Sequence, residues 1–440
     1  MPLPALVETI TAGRLCLVEY ARACIEQALA VEPRIHAFKA IDPAMIHARA
    51  EAVGAAGAGA PSGLLAGVPF GVKDIIDVRG LVTGMGSPIH DGSVAGADAP
   101  LVARLQAAGG FVFGKTVTTE FAFMHPRETR NPWHTAHTPG GSSSGSAAAI
   151  AAGCIPAALA TQTNGSVIRP AAFCGIVGFK PSYGALPVQG VLSYAPTLDQ
   201  AGCYARSVGG VARIAQALAE PGFGLDAEGL RSTVRGEAGA GGPRLAAVRS
   251  PVWARASAAM QSSFERAQSV LSGAGAQVEC PDLPAGFEHA HDVHRVIMGR
   301  EAARYFEAVQ ARHRGLISDW LNSYLDQAAA IGAAEYQDAL GARDRLREAF
   351  ARFVCGFDAV LTPPAIGEAP DGIQTSGDPV FCSIWTLLGT PAITIPTGFG
   401  PAGLPLGLQL VGAERGDAGV LAVAAWCESQ FGFRGLPPAA

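Results

Sequence analysis

The chain has 440 residues, of which 49% are apolar and only 16% charged, and its 32 basic and 37 acidic side chains leave a formal net charge of −5. So much core-forming residue and so little charge exclude a disordered chain. The faintly acidic balance offers no field to hold a polyanion, so a nucleic-acid partner is not expected.

The opening MPLPALVETI lacks a basic and then apolar leader. The longest apolar stretch, 147–160, contains Pro156 and falls short of the ~20 residues of a membrane span. No membrane partner is expected. Nine cysteines without a CxxC pair suit a reducing, cytoplasmic setting.

Taken in chain order, Leu15, Leu17, Val18, Ala21, Cys24, Ile25 and Leu29 recur at helical spacing. A second helix is expected over 43–56, ending in the loop GAAGAGAPSG. VPFGVKDIID (68–77) reads as a strand, 99–108 as a helix and 111–115 as a strand. A polar, Pro-rich loop (125–141) leads to a small-residue helix starting near Ser144, then to a strand over 157–161. Gly, Pro and charge make 221–243 the best linker candidate.

Beyond it, RLAAVR, AQVEC, DAVLTPP, PAITIP and LGLQLVG read as strands. Helices are expected over 255–273, through most of 288–353, and over 416–430. This alternation predicts an α/β fold with a parallel or mixed sheet. The expected organisation is one unit over 1–440 with a helical insertion at roughly 285–353.

Three motifs fail on context. GGFVFGKT (109–116) fits the phosphate-loop pattern, but a helix precedes it and Phe111, Val112 and Phe113 favour a strand. GSSSG (141–145) fits a nucleophile elbow, which needs a strand before it, and a polar loop stands there instead. His289, His291 and His294 lack the i,i+4 spacing of helical zinc ligands.

Three other segments carry chemistry. Lys73 sits in an apolar strand, where burial disfavours its charge; it either pairs with Asp74 or Asp77 or serves as a neutral base. Ser142, Ser143 and Ser144 follow a double glycine and either cap the next helix or face a cavity. In TQTNGSVIRPAAFCG (161–175), Asn164-Gly165 can adopt positive φ and present Ser166 on a tight turn whose N–H groups form an anion-binding nest.

In this order the three segments resemble the amidase signature family of serine amidohydrolases, from the first helices to the tail PAITIPTGFGPAGLPLGLQLVG. The resemblance implies the amidase signature fold, a large mixed β-sheet covered on both faces by α-helices. It implies a Ser–cisSer–Lys triad: Lys73 as base, Ser142 as the cis-serine and Ser166, 24 residues on, as nucleophile. The oxyanion hole would come from Thr163, Asn164, Gly165 and Ser166. No metal or other cofactor is implied.

The commonest family turn is TDTGGSIR; here Gln162 replaces the acid and Asn164 a glycine, and Arg169 stands three residues after Ser166. That form resembles the malonamidase subgroup. The resemblance makes Gln162 and Arg169 candidate substrate-binding residues, with Arg169 against a substrate carboxylate. The alternative for Arg169 is an ion pair with Asp199 or Glu120. Phe123, Met124, Trp133 and Trp385 are candidates for pocket wall or core.

The first functional expectation is hydrolysis of a small-molecule amide or urea-like C–N bond through an acyl-enzyme, on substrates that include carboxylate-bearing ones. The alternative is the glutaminase subunit of a tRNA-dependent amidotransferase. A third, of another class, is an inactive scaffold or binding subunit. The sequence is compatible with both a homodimer and a small partner subunit.

Overall fold

The computed structural model describes residues 1–55, 61–226, 230, 242–433 and 435–437. Ten strands form one sheet: β1 Pro69–Lys73, β2 Phe111–Thr116, β3 Ala157–Gln162, β4 Val177–Lys180, β5 Gln200–Ala205, β6 Arg244–Ala247, β7 Gln277–Glu279, β8 Ala359–Thr362, β9 Ala392–Phe399 and β10 Pro405–Val411. Their order is β2-β1-β3-β5-β4-β9-β10-β8-β6-β7. β1 pairs in parallel with β2 and β3, and β6 with β7 and β8. The middle of the sheet is antiparallel, so the expected mixed sheet is present.

Alternation along the strands explains why both faces are covered. Phe111 and Phe113 enter one core cluster and Val112 the other; Ala158 and Ala160 face one way, Ala157 and Leu159 the other. Helices α1 Leu3–Thr11, α2 Leu17–Ile35, α3 Pro43–Ala55, α4 Pro100–Ala107, α5 Ser144–Ala151, α6 Ile168–Cys174 and α7 Val208–Leu218 belong to the first half. α8 Ala258–Gly273 follows β6. Between β7 and β8 the chain makes a helical excursion: α9 Ala290–His313, α10 Asp319–Ala329 and α11 Ala333–Val354. α12 Val380–Leu388 and α13 Asp417–Phe431 complete the described helices.

Most sequence expectations hold to within a few residues. The strand expected over 68–77 stops at Lys73, because Ile75 and Ile76 donate back to the Lys73 carbonyl in a turn. The strands β4 and β5 and the helices α1, α6, α7 and α12 were not anticipated. Most of the linker candidate 221–243 lies outside the described residues. Trp385 belongs to the core, packed on Phe350 at 5.6 Å between ring centroids. Among the described residues no helix is long and apolar enough to cross a membrane.

Candidate active site

β1 and β3 lie side by side in parallel, with Val72 opposite Leu159. Their carboxyl ends therefore bring Lys73 and Thr161 to one edge of the sheet, where α/β folds open their clefts. Lys73 is fully buried. Its Nζ lies 2.7 Å from Ser142 Oγ and 2.7 Å from Thr161 Oγ1. Burial pushes the ammonium well below its ordinary range, and the Asp199 carboxylate partly opposes that.

Lys73 does not pair with Asp74. That carboxylate bonds Lys115 at 3.0 Å, and both groups are buried. Lys115 also donates to Thr83 Oγ1, so the lysine of GGFVFGKT stands in β2 and pairs with the residue after β1 rather than lying in a phosphate loop.

The Gly141–Ser142 peptide is cis, as the resemblance implies. The Gly141 carbonyl accepts from Arg169 Nη2 at 2.6 Å. The Ser142 carbonyl accepts from Thr118 Oγ1 at 3.1 Å and from the Thr119 N–H at 3.3 Å. Capping of α5 is not what the serines do: Ser143 stands at the N-cap without a capping bond. Ser143 Oγ instead reaches the Thr161 carbonyl at 3.3 Å, and Ser144 Oγ the Val117 carbonyl at 3.3 Å. A Cβ on Gly145 would strike the Ala37 carbonyl and the Val117 N, which explains a glycine there.

The turn after β3 is tied down through its carbonyls. The Thr163 carbonyl faces His294 Nε2 at 3.1 Å, the Asn164 carbonyl accepts from Thr386 Oγ1 at 2.7 Å, and the Gly165 carbonyl accepts from the Arg169 N–H at 3.0 Å. In a trans peptide the N–H points opposite the C=O. Each tie therefore aims the following N–H, that of Asn164, Gly165 or Ser166, the other way. Among the described residues none of these three N–H groups donates to a protein acceptor.

The turn does not use positive φ at Asn164 or Gly165, contrary to the sequence expectation. Gly165 is needed for close approach instead: a Cβ would sit 2.8 Å from Pro379 Cβ. Ser166 is 9% exposed. Among the described residues its hydroxyl makes no hydrogen bond, to Ser142 or otherwise, while its carbonyl accepts from Tyr204 at 3.1 Å.

Gln162 is spent within the protein. Its Oε1 accepts from the Val167 and Ile168 N–H groups at 2.8 and 3.0 Å, and its Nε2 donates to Thr386 at 2.9 Å. Arg169 is buried, and among the described residues it forms no ion pair; its Nε and Nη1 lack any partner. Nη2 also donates to Ser376 at 3.2 Å. Burial pushes the guanidinium down to about 10.

Neither carboxylate suggested for Arg169 is its partner. Glu120 accepts from Ser318. Asp199 accepts from Thr163 Oγ1 at 2.5 Å, Ser193 Oγ at 2.8 Å, and the Tyr194 and Ala195 N–H groups at 2.7 and 3.0 Å. Burial raises Asp199 to about 6. Sequence reasoning missed Asp199 and Thr161 as neighbours of Lys73, because only pairing across the sheet unites them. A cavity of about 90 Å³ touches Thr161, Thr163, Tyr194 and Asp199.

Among the described residues no group of three or more His, Cys, Asp or Glu is placed to hold a metal. His291 and His294 face backbone carbonyls.

This mixed-sheet architecture, with its buried lysine and serine-rich loops, is that of a hydrolase of carbon–nitrogen bonds. A family model described as Amidase matches residues 19–421, and the chain belongs to the amidase signature family. It is 35% identical to a glutamyl-tRNA(Gln) amidotransferase subunit of Symbiobacterium thermophilum, over 94% of this chain and 93% of that one. A solved structure of a vestigial protein complex, described as revealing the evolutionary origins of an s-triazine catabolic enzyme, superposes with a TM-score of 0.89. It is 26% identical and covers 99% of this chain and 100% of that one. The corresponding glutamyl-tRNA(Gln) amidotransferase subunit of Thermotoga maritima superposes with a TM-score of 0.80 at 27% identity, covering 96% and 94% of the two chains.

Proposed function

We propose that this chain is one amidase domain that hydrolyses a small carboxamide through an acyl-enzyme on Ser166, and that it serves as the glutaminase subunit of an amidotransferase. The observation that carries the chemistry is the fully buried Lys73 amine 2.7 Å from Ser142 Oγ, beside a turn with three N–H groups that are unpaired among the described residues. A neutral Lys73 accepts the Ser142 proton while Ser142 accepts that of Ser166. Catalytic hydrogen bonds commonly tighten only when substrate is bound, so the Ser142–Ser166 link forms then.

Ser166 Oγ adds to the amide carbon. The oxygen, now anionic, takes the N–H groups of the turn. The C–N bond breaks as the proton returns from Lys73 through Ser142 to the leaving nitrogen, which departs as ammonia. Water repeats the sequence on the ester and frees the acid and Ser166. Thr163 contributes by holding the turn to Asp199 through its hydroxyl, and Gln162 by fixing the turn to α6 rather than by touching substrate.

The amidotransferase reading stands ahead of a stand-alone amidase because the curated relatives that match across the chain at 30–35% identity are glutamyl-tRNA(Gln) amidotransferase subunits. This reading includes partner subunits. One observation favours the second reading, a small amide bearing a carboxylate: the buried Arg169, which among the described residues has two unpartnered nitrogens and no ion pair. The test is ammonia release from glutamine, from short dicarboxylic half-amides and from neutral amides, with Ser166→Ala as blank. Glutamine turnover that rises on adding co-purified partners supports the first reading. Turnover confined to half-amides in the isolated chain replaces it with the second, and no release from any amide overturns both.

A further inference from the structure

α9 presents three polar side chains on one face, at positions 291, 294 and 301, and each contacts a different segment of the chain. His291 Nε2 lies 2.9 Å from the carbonyl of Val380, where α12 begins. Glu301 accepts from the N–H and hydroxyl of Thr197 at 2.9 and 2.6 Å, two residues before Asp199. Between them His294, 2% exposed, meets the Thr163 carbonyl.

A carbonyl can only accept, so His294 carries its proton on Nε2. Burial holds the imidazole down at about 4, which keeps it neutral near pH 7. The Thr163 carbonyl and the Asn164 N–H belong to one rigid peptide. A donor on the carbonyl fixes the plane, aims the N–H away from α9, and polarises it toward stronger donation. Thr163 is thereby held on both sides, its hydroxyl by Asp199 and its carbonyl by His294.

We infer that His294 is a positioning residue for the oxyanion turn, acting on the Asn164 N–H through the Thr163 carbonyl. This rests on the reading of Ser166 as nucleophile and of residues 164–166 as the oxyanion hole. Through this one residue the helical excursion bears on the oxyanion turn.

The test needs no knowledge of the substrate. A fluorophosphonate reacts when Ser166 Oγ displaces fluoride from phosphorus, the hydroxyl proton passing toward Lys73, and the phosphoryl oxygen occupies the oxyanion hole. The labelling rate of the full chain thus reads nucleophile and hole together. His294→Phe keeps the volume and loses the donor; His294→Gln keeps a donor. The expected result is labelling slowed about tenfold to a hundredfold in His294→Phe, about threefold or less in His294→Gln, and unchanged in His291→Ala, which loosens α9 but leaves Thr163 paired. Equal rates in His294→Phe and His294→Gln, or an equal loss in His291→Ala, overturn the inference and leave a helix anchor only. Unimpaired labelling of Ser166→Ala overturns the underlying reading itself, which separates the two failures.

Discussion

Lys73 and Ser142 are 69 residues apart in the chain, yet Nζ lies 2.7 Å from Oγ inside the protein. The amine works as a base only when neutral. Burial lowers its pKa, with the Asp199 carboxylate acting in the opposite direction. The neutral form therefore exists above the lowered pKa and is lost as pH falls through it. kcat/KM is expected to rise with pH along an acid limb, and Lys73→Ala to remove turnover by at least about a thousandfold. A rate that shows no acid limb at any pH at which the protein stays folded would remove Lys73 from the role of base.

Ser166→Ala separates chemistry from folding. The hydroxyl makes no hydrogen bond among the described residues, so its loss leaves no buried partner unpaired. We expect an unchanged melting temperature and a loss of turnover of at least about a thousandfold. Near-normal turnover by the folded variant would reassign the nucleophile.

Arg169→Met tests what the guanidinium is for. It removes the donors to the Gly141 carbonyl and Ser376, and it also removes the two unpartnered nitrogens. If these bind a substrate carboxylate, KM rises far more for a half-amide than for the neutral diamide of the same chain length. Arg169→Lys does not restore it, because an ammonium lacks the planar fork. Equal effects on the two substrates would leave Arg169 with the Gly141 carbonyl as its task.

The sequence was most informative where chemistry and pattern coincide. Lys73 stands out because an apolar strand does not ordinarily contain it, and the order of Lys73, Ser142 and Ser166 marks the family. The strands of the carboxyl half are legible from short apolar runs between turn residues. What was illegible depends on contacts distant in sequence. Nothing local says that Lys115 takes Asp74, or that Gln162 spans to Thr386 over 224 residues. The histidines of EHAHDVH are visible as a cluster, but their partners, the carbonyls of Thr163 and Val380, lie on other elements. β4 and β5 escaped notice because their residues, VGFK and QAGCYA, carry glycine and alanine where a strand pattern needs bulk.

The same contacts favour a structural Gln162 over a substrate-binding one. Its side chain is 1% exposed, and its oxygen satisfies two backbone N–H groups at the start of α6. Gln162→Ala strands both of them, at about 1–3 kcal/mol for each buried unsatisfied group. The denaturation midpoint should fall accordingly, with the slope unchanged, and turnover should fall with it because the turn carrying Ser166 loses its brace. Gln162→Glu keeps the acceptor and loses the Nε2 donor to Thr386, so its midpoint should lie between that of Gln162→Ala and the parent. Were Gln162 a substrate ligand, Gln162→Ala would raise KM and leave the midpoint where it was. Denaturant titration and steady-state kinetics on the same three proteins distinguish the two outcomes.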